Sequence, residues 1–155
     1  MQTEPKAPAS GRYEDDFYEW TIAQAAAVRE GRWADIDVEN LAEEIDSLGS
    51  SNKKEIRSRL AVLIAHLLKQ QVQPERETRS WETTILTQAR EIEFVVMDSP
   101  SLRRMLPEFA ARAYRGARQI ASRDTRLSIQ RFPEKITPEI EERLNAVLAE
   151  AAVDN

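Results

Sequence analysis

The chain of 155 residues contains no cysteine and a single histidine, His66. The first absence excludes disulfides, thiolate zinc sites, iron–sulfur ligation and cysteine nucleophiles together. The second excludes any one-chain site built on two histidines, such as a His-Glu-x-x-His zinc centre. The four glycines are widely separated and make no phosphate-cradling loop. No Gly-x-Ser-x-Gly turn presents a serine nucleophile. Aromatic residues are only 6% of the chain, and no run approaches the roughly 20 apolar residues of a membrane span. No cofactor, no metal and no membrane partner are expected. No apolar run follows a basic start either, so no signal peptide is read and a cytoplasmic protein is the expectation.

Apolar residues make up 41% of the chain and charged residues 32%. At this length that suffices for one core without a metal or crosslink. Residues 1–11, rich in Pro, Ala and polar side chains, read as a mobile arm; residues 12–150 read as a single helical domain. The net charge of −5 hides a segregation. Residues 1–50 hold 12 acids and 4 bases, residues 51–131 hold 9 acids and 16 bases, and residues 132–155 hold 6 acids and 2 bases. An acidic front and a basic middle suit docking within the fold or across a dimer, ahead of a nucleic-acid surface.

Periodicity near 3.6 runs throughout, and no stretch alternates with period two. A first helix is expected over 13–30, with Tyr13, Phe17, Trp20, Gln24, Ala27 and Val28 on one face and Gly31 as its left-handed cap. Asp37 is the N-cap of a second, over 38–48. A third, over 52–73, carries Ile56, Leu60, Leu63, Ile64, Leu67 and Leu68 across nearly half its circumference, the mark of a central helix. Gly49-Ser50-Ser51 reads either as a cap between these two or as a glycine inside one long helix, since its intrinsic cost is only about 1 kcal/mol. A fourth helix is expected over 81–97 with Ser80 as its cap. A fifth opens at Ser99-Pro100 and keeps its phase through Pro107, with a kink or short break there. Residues 125–136 read as irregular, and a last helix spans 138–149. The expectation is an all-α bundle of five to six helices, mostly antiparallel neighbours.

Several segments carry a family likeness: Tyr13-Glu-Asp-Asp-Phe17-Tyr-Glu-Trp20-Thr with Gln24, Asp37-Val-Glu-Asn40-Leu-Ala-Glu-Glu44-Ile-Asp-Ser-Leu-Gly49, and His66-Leu-Leu-Lys69 with Gln73-Pro74. Arg79-Ser80-Trp81, Thr84-Ile85 and Asp98-Ser-Pro-Ser-Leu-Arg103 extend it. Together they resemble the domain-of-unknown-function family 29 of small bacterial proteins, over about residues 12–133. The resemblance implies a cytoplasmic, predominantly helical protein without an established activity, so no catalytic residues carry over. Where that family usually has Lys-Trp-Gln-Tyr, this chain has Lys69-Gln70-Gln71-Val72, which removes an aromatic shelf beside His66.

Five groups of residues invite a chemical reading. Arg59 and His66, seven apart on one helix, fall within about 20° of each other and about 10.5 Å apart along the axis. That spacing is similar to one used by the HEPN ribonucleases, in which a histidine moves protons and an arginine holds phosphorane charge. The bland alternative is a helix–helix histidine and a surface ion pair. Glu44 on the edge of the second helix is the nearest partner for Arg57, which projects onto the apolar arc of the third, and Glu44 with His66 is a weak metal pair. Gln24 and Gln88 sit inside apolar stripes, where amides must bond each other or a helix terminus, or take a ligand. Arg104, Arg112, Arg115 and Arg118, with Arg123 and Arg126, form a basic half of the fifth helix that reads as a solvated, partner-docking or anion surface. No aromatics interleave there, so nucleic acid is not favoured. Trp20 and Trp81 read as core, and Trp33, in a loop, as an interface anchor. The reading that best fits is a non-enzymatic interaction or regulatory module with a protein partner or self-association. The alternative is a metal-independent ribonuclease using His66 and Arg59.

Overall fold

The computed structural model describes residues 12–153, and the arm expected over residues 1–11 lies outside them. The described residues are all-α, with five α-helices and no strand. The helices are α1 (Phe17–Arg29), α2 (Val38–Val72), α3 (Arg79–Asp98), α4 (Leu106–Thr125) and α5 (Pro138–Val153). Single turns of tighter 3₁₀ helix lie at Trp33–Asp35, Pro74–Arg76 and Ile129–Arg131, and a longer one at Pro100–Met105 leads into α4. The chain divides into two compact units at Gly49.

In the first unit, α1 begins at Phe17 rather than at residue 13. The backbone N–H groups of Asp15 and Asp16 both donate to the Arg12 carbonyl and form a turn. Asp16 then caps the helix by accepting from the Glu19 N–H. Gly31, at φ 68°, follows the helix end in the left-handed region, where its lack of a Cβ is needed. Asp37 caps α2, its Oδ1 accepting from the Asn40 N–H at 3.3 Å.

The second unit holds the core. Ile56, Leu60, Leu63, Ile64, Leu67 and Leu68 of α2 are fully buried. They meet Ile85, Ala89, Ile92 and Val96 of α3, Phe109, Ala113, Ala117 and Ala121 of α4, and Ile140, Leu144, Leu148 and Ala151 of α5. The alanine stripe of α4 allows close approach, and Phe132, buried in the segment after α4, closes the core. Pro107 does not break a helix interior. It stands in the first turn of α4, where the missing N–H has no partner to lose, and the 3₁₀ segment before it supplies the expected interruption. Ser80 is not a cap: α3 starts at Arg79, the Thr78 position precedes it without a side-chain bond, and the Ser80 carbonyl accepts from the Thr84 hydroxyl. Ser99 likewise makes no capping bond. It accepts from Asn52 instead.

Of the two readings of Gly49, the long helix is the correct one. Residues 38–72 run as one helix, and Gly31 is the only glycine with positive φ among the described residues. A Cβ at Gly49 would meet nothing within 4 Å. Gly49→Ala should therefore stabilise the chain by about 0.5–1 kcal/mol through helix propensity and a less disordered unfolded state. The thermal midpoint should rise by about 2 °C. A lower midpoint would mean that the helix ends at this glycine.

Candidate functional site

The first unit is a helical hairpin with one braced side and one open side. On the braced side, Trp20 is buried, and its indole N–H donates to Asp37 Oδ2 at 3.3 Å. Asp37 also accepts from the Asn40 side chain at 2.7 Å, and these bonds hold its carboxyl below the usual range, the Asn40 amide most of all. Gln24, buried in the stripe of α1, accepts from the Asp37 N–H at 2.8 Å and donates to the Asp35 carbonyl at 3.4 Å. Its amide is thus bonded at the start of α2, one of the outcomes expected of it. Tyr13 packs edge-on against Trp20, with ring centres 4.9 Å apart, and donates its hydroxyl to Glu44 at 2.6 Å. That bond to a carboxylate pushes the phenol up to about 12.

The open side is a groove of about 620 Å³ lined by Phe17, Trp20, Thr21, Gln24, Ala25, Val28 and Arg29 of α1 and by Leu41, Glu44, Ile45 and Leu48 of α2, so its charged lining is one base and one acid. Its apolar side chains are strongly solvent-facing: Phe17 is 49% exposed, Ile45 60% and Leu48 71%. Ile22 and Val38 are exposed in the same unit, as is Trp33, at 70%, in the turn between the helices. Large apolar side chains gathered along one groove and left facing solvent are a mark of interaction sites.

In the second unit, Arg59 is held by carboxylates. It bonds Glu55 at 2.9 Å and Glu91 at 3.3 Å, and donates to Gln88 at 3.4 Å. Gln88 is half-buried. It therefore serves an arginine, not a second glutamine. His66 is half-buried, and its Nδ1–H donates to the Val62 carbonyl at 2.9 Å. The pairing of Glu44 with Arg57 or His66 required two facing helices. All three residues stand on the single helix α2, and Glu44 is taken by Tyr13, so the pairing does not form. Arg57 is half-buried. No group of three or more His, Cys, Asp or Glu gathers as a metal cage among the described residues.

The arginines of the basic half differ in their partners. Arg112 pairs with Glu108 at 2.8 Å and Arg123 with Asp124 at 3.4 Å. Arg104 and Arg115 are exposed. Arg118 is half-buried and donates to the carbonyls of Ile129 and Phe132, each at 3.1 Å.

Three buried polar groups were not singled out from the sequence. Lys69 is buried, with its ammonium 3.5 Å from Asp124 and 4.6 Å above the Trp81 ring. Gln70 is buried between Glu77 and Arg143. Glu93 is fully buried and clamped by both terminal nitrogens of Arg103, at 3.2 and 2.6 Å. The signal for Glu93 was available: it lies four residues after Ala89 on the inward stripe of α3, where a carboxylate requires a cation.

The family model for domain of unknown function DUF29 matches residues 12–148. The chain belongs to this family. Searches of curated proteins and of solved structures find no match. DUF29 membership brings no assigned activity, so the chemistry of this member rests on its own side chains. No helix among its described residues is long and apolar enough to cross a membrane.

The only histidine of this DUF29 chain supplies a pH test. Burial lowers the His66 pKa below 6.5, as does the Lys69 ammonium, while the Val62 bond and Asp124 act the other way. A base depressed on folding contributes stability that is fully present above its unfolded pKa and is lost as pH falls through the folded value. Denaturant unfolding of wild type and His66→Gln between about pH 7.5 and 5 should give a stability gap that narrows toward acid, starting near 6.5. A gap that widens toward acid would contradict this.

Proposed function

We propose that the protein is a non-enzymatic interaction module of the bacterial cytoplasm, and that its α1–α2 groove receives a basic amphipathic helix from a protein partner. The exposed apolar lining of the groove carries this reading. A helix laid in such a groove buries anchors spaced three to four residues apart. Charge favours a basic occupant. The groove's own charged lining is balanced, Arg29 against Glu44, but residues 12–49 around it hold 11 acids against 3 bases, so two copies of this unit would meet like charge. Tyr13, Gln24 and Asp37 act as positioning groups that fix the two groove walls relative to each other.

The ribonuclease reading draws less support. Arg59 already lies against Glu55 and Glu91, and a guanidinium so neutralised has little charge left for a phosphorane.

Fluorescence anisotropy with a labelled, lysine-rich amphipathic helical peptide tests the proposal. Binding to wild type should be saturable and weaken with salt. The double variant Ile45→Asp, Leu48→Asp should bind at least about tenfold more weakly, because two apolar anchors are lost. Equal binding by both proteins, or preference for a glutamate-rich version of the peptide, would defeat it. Concentration-dependent dimers abolished by the same double variant, seen in sedimentation, would replace the partner helix with a second copy.

A further inference from the structure

Beyond the groove, the second unit contains a basic concavity that the interaction reading leaves unused. It has a volume of about 520 Å³, between α4 and the segment leading to α5. Arg115, Arg118 and Lys135 line it with one carboxylate, Glu134, and with Ala111, Tyr114 and Ile136 as its other walls. Arg32, Arg59, Arg103, Arg112 and Arg123 each lie within ion-pair distance of an acid. Arg115, Arg118 and Lys135 have no such partner among the described residues. What sets these three cations apart is the one hollow they line, since Arg104, Arg126 and Arg131 likewise have no acid within ion-pair distance among the described residues. Three cations against one acid therefore line a single hollow.

The hollow is also rigidly built. One terminal nitrogen of Arg118 donates to the carbonyls of Ile129 and Phe132, each at 3.1 Å. The Tyr114 hydroxyl donates to the Pro133 carbonyl at 2.9 Å, and Phe132 is buried in the core. Helix and connecting segment are thus fastened together by three hydrogen bonds and a buried ring. The Arg118 guanidinium is ordered in advance, so an incoming anion bears less of that cost. Its Nε is buried without an acceptor, which leaves the group short of negative partners. Carbonyls alone do not neutralise a full positive charge.

We infer that this concavity is a binding site for a phosphate monoester of a small organic molecule. A surplus of two positive charges matches the roughly −1.5 to −2 of a phosphate monoester near neutral pH better than the single charge of a carboxylate. Arginine supplies the planar donor set that phosphate oxygens take. The volume exceeds what inorganic phosphate fills and falls within the range of small-molecule sites, roughly 300–1,000 Å³. Ala111 and Ile136 give the organic part an apolar wall. A nucleic-acid strand is less well matched. The three cations form one cluster, not a track, and the only aromatic in the wall, Tyr114, is buried.

Titration of ¹⁵N-labelled full-length protein with phenyl phosphate, followed by NMR, tests the site. Saturable shifts should appear at Arg115, Arg118 and Lys135 with half-saturation below about 1 mM, and inorganic phosphate should compete. Arg115→Gln and Lys135→Gln, both at exposed positions, should each weaken binding about tenfold and leave the rest of the spectrum unchanged. Arg118→Lys keeps the charge, loses the fixed fork and should bind at least as weakly. Absence of saturation up to about 20 mM, roughly twentyfold above that threshold, would overturn the assignment. So would equal affinity in the two exposed-position variants. Saturation only by a single-stranded oligonucleotide, with steep salt dependence, would replace it with a nucleic-acid surface. The groove of the first unit shares no residue with this site, so failure of one leaves the other standing.

Discussion

The apolar arc of α2 is the constraint on which the second unit depends. From Ile56 to Leu68 six large aliphatic side chains are removed from water, and they are met by three other helices. Burial at about 25 cal/mol per Å² makes that arc a large favourable contribution, and it dictates where polar groups must find partners. Enclosure is nearly complete over residues 67–70, just before the end of the helix. Lys69 and Gln70, one and two positions past Leu68, are buried as well. They persist there because Asp124 and the Trp81 face receive one, and Glu77 and Arg143 the other. Glu93 follows the same rule from α3. With its side chain almost inaccessible, it is tolerable only because Arg103 reaches in with two charge-assisted bonds while keeping about half of itself in solvent.

The first unit meets the opposite condition. Two short helical walls have little interior, since small bodies bury a smaller fraction of their surface. Trp20, the largest side chain buried among its described residues, is secured by a polar bond as much as by packing. Asp37 serves three purposes there: it caps α2, receives the Trp20 indole and offers its own N–H to Gln24. This polar brace orients the walls and leaves Ile45 and Leu48 in water. Stability on one side and an unfilled apolar groove on the other are consequences of the same hairpin geometry.

Much of the fold was legible because helical periodicity reports burial directly. The α2 arc, the α3 stripe of Ile85, Ala89, Ile92 and Val96, and the Asp37 cap all follow from spacing alone. Boundaries were less legible where local signals competed. Asp16, Asp15 and Glu14 are all acids, and only the turn at Arg12 decides that Asp16 is the cap. Ser80 has cap chemistry, yet α3 extends one residue before it. Gly49 looks like a stop, but its cost is small beside the continuity of a 35-residue helix. The candidate residues show the same divide. Gln24 was recognisable as a buried amide needing a partner, whereas its use by the Asp37 backbone depends on the turn geometry of Trp33–Asp35. Glu44 with Arg57 failed as a pair because it assumed a break at the glycine.

Net charge conceals a local organisation. An isoelectric point near 5.1 argues against anion binding only if charge is spread evenly, and here it is not. Acids in the second unit are spent on particular cations: Glu93 on Arg103, Glu55 and Glu91 on Arg59, Glu108 on Arg112. Each pair removes its members from the long-range field, which is screened beyond about 10 Å in any case. Unpaired cations remain elsewhere too, but Arg115, Arg118 and Lys135 line one hollow with a single acid, Glu134, and the local balance there is positive. The three act together because α4 and the segment fastened to it by Tyr114 and Arg118 hold them about one hollow. A charge census by segment points to the basic middle of the chain; only the fold shows which of its cations, Arg115, Arg118 and Lys135, line one hollow together.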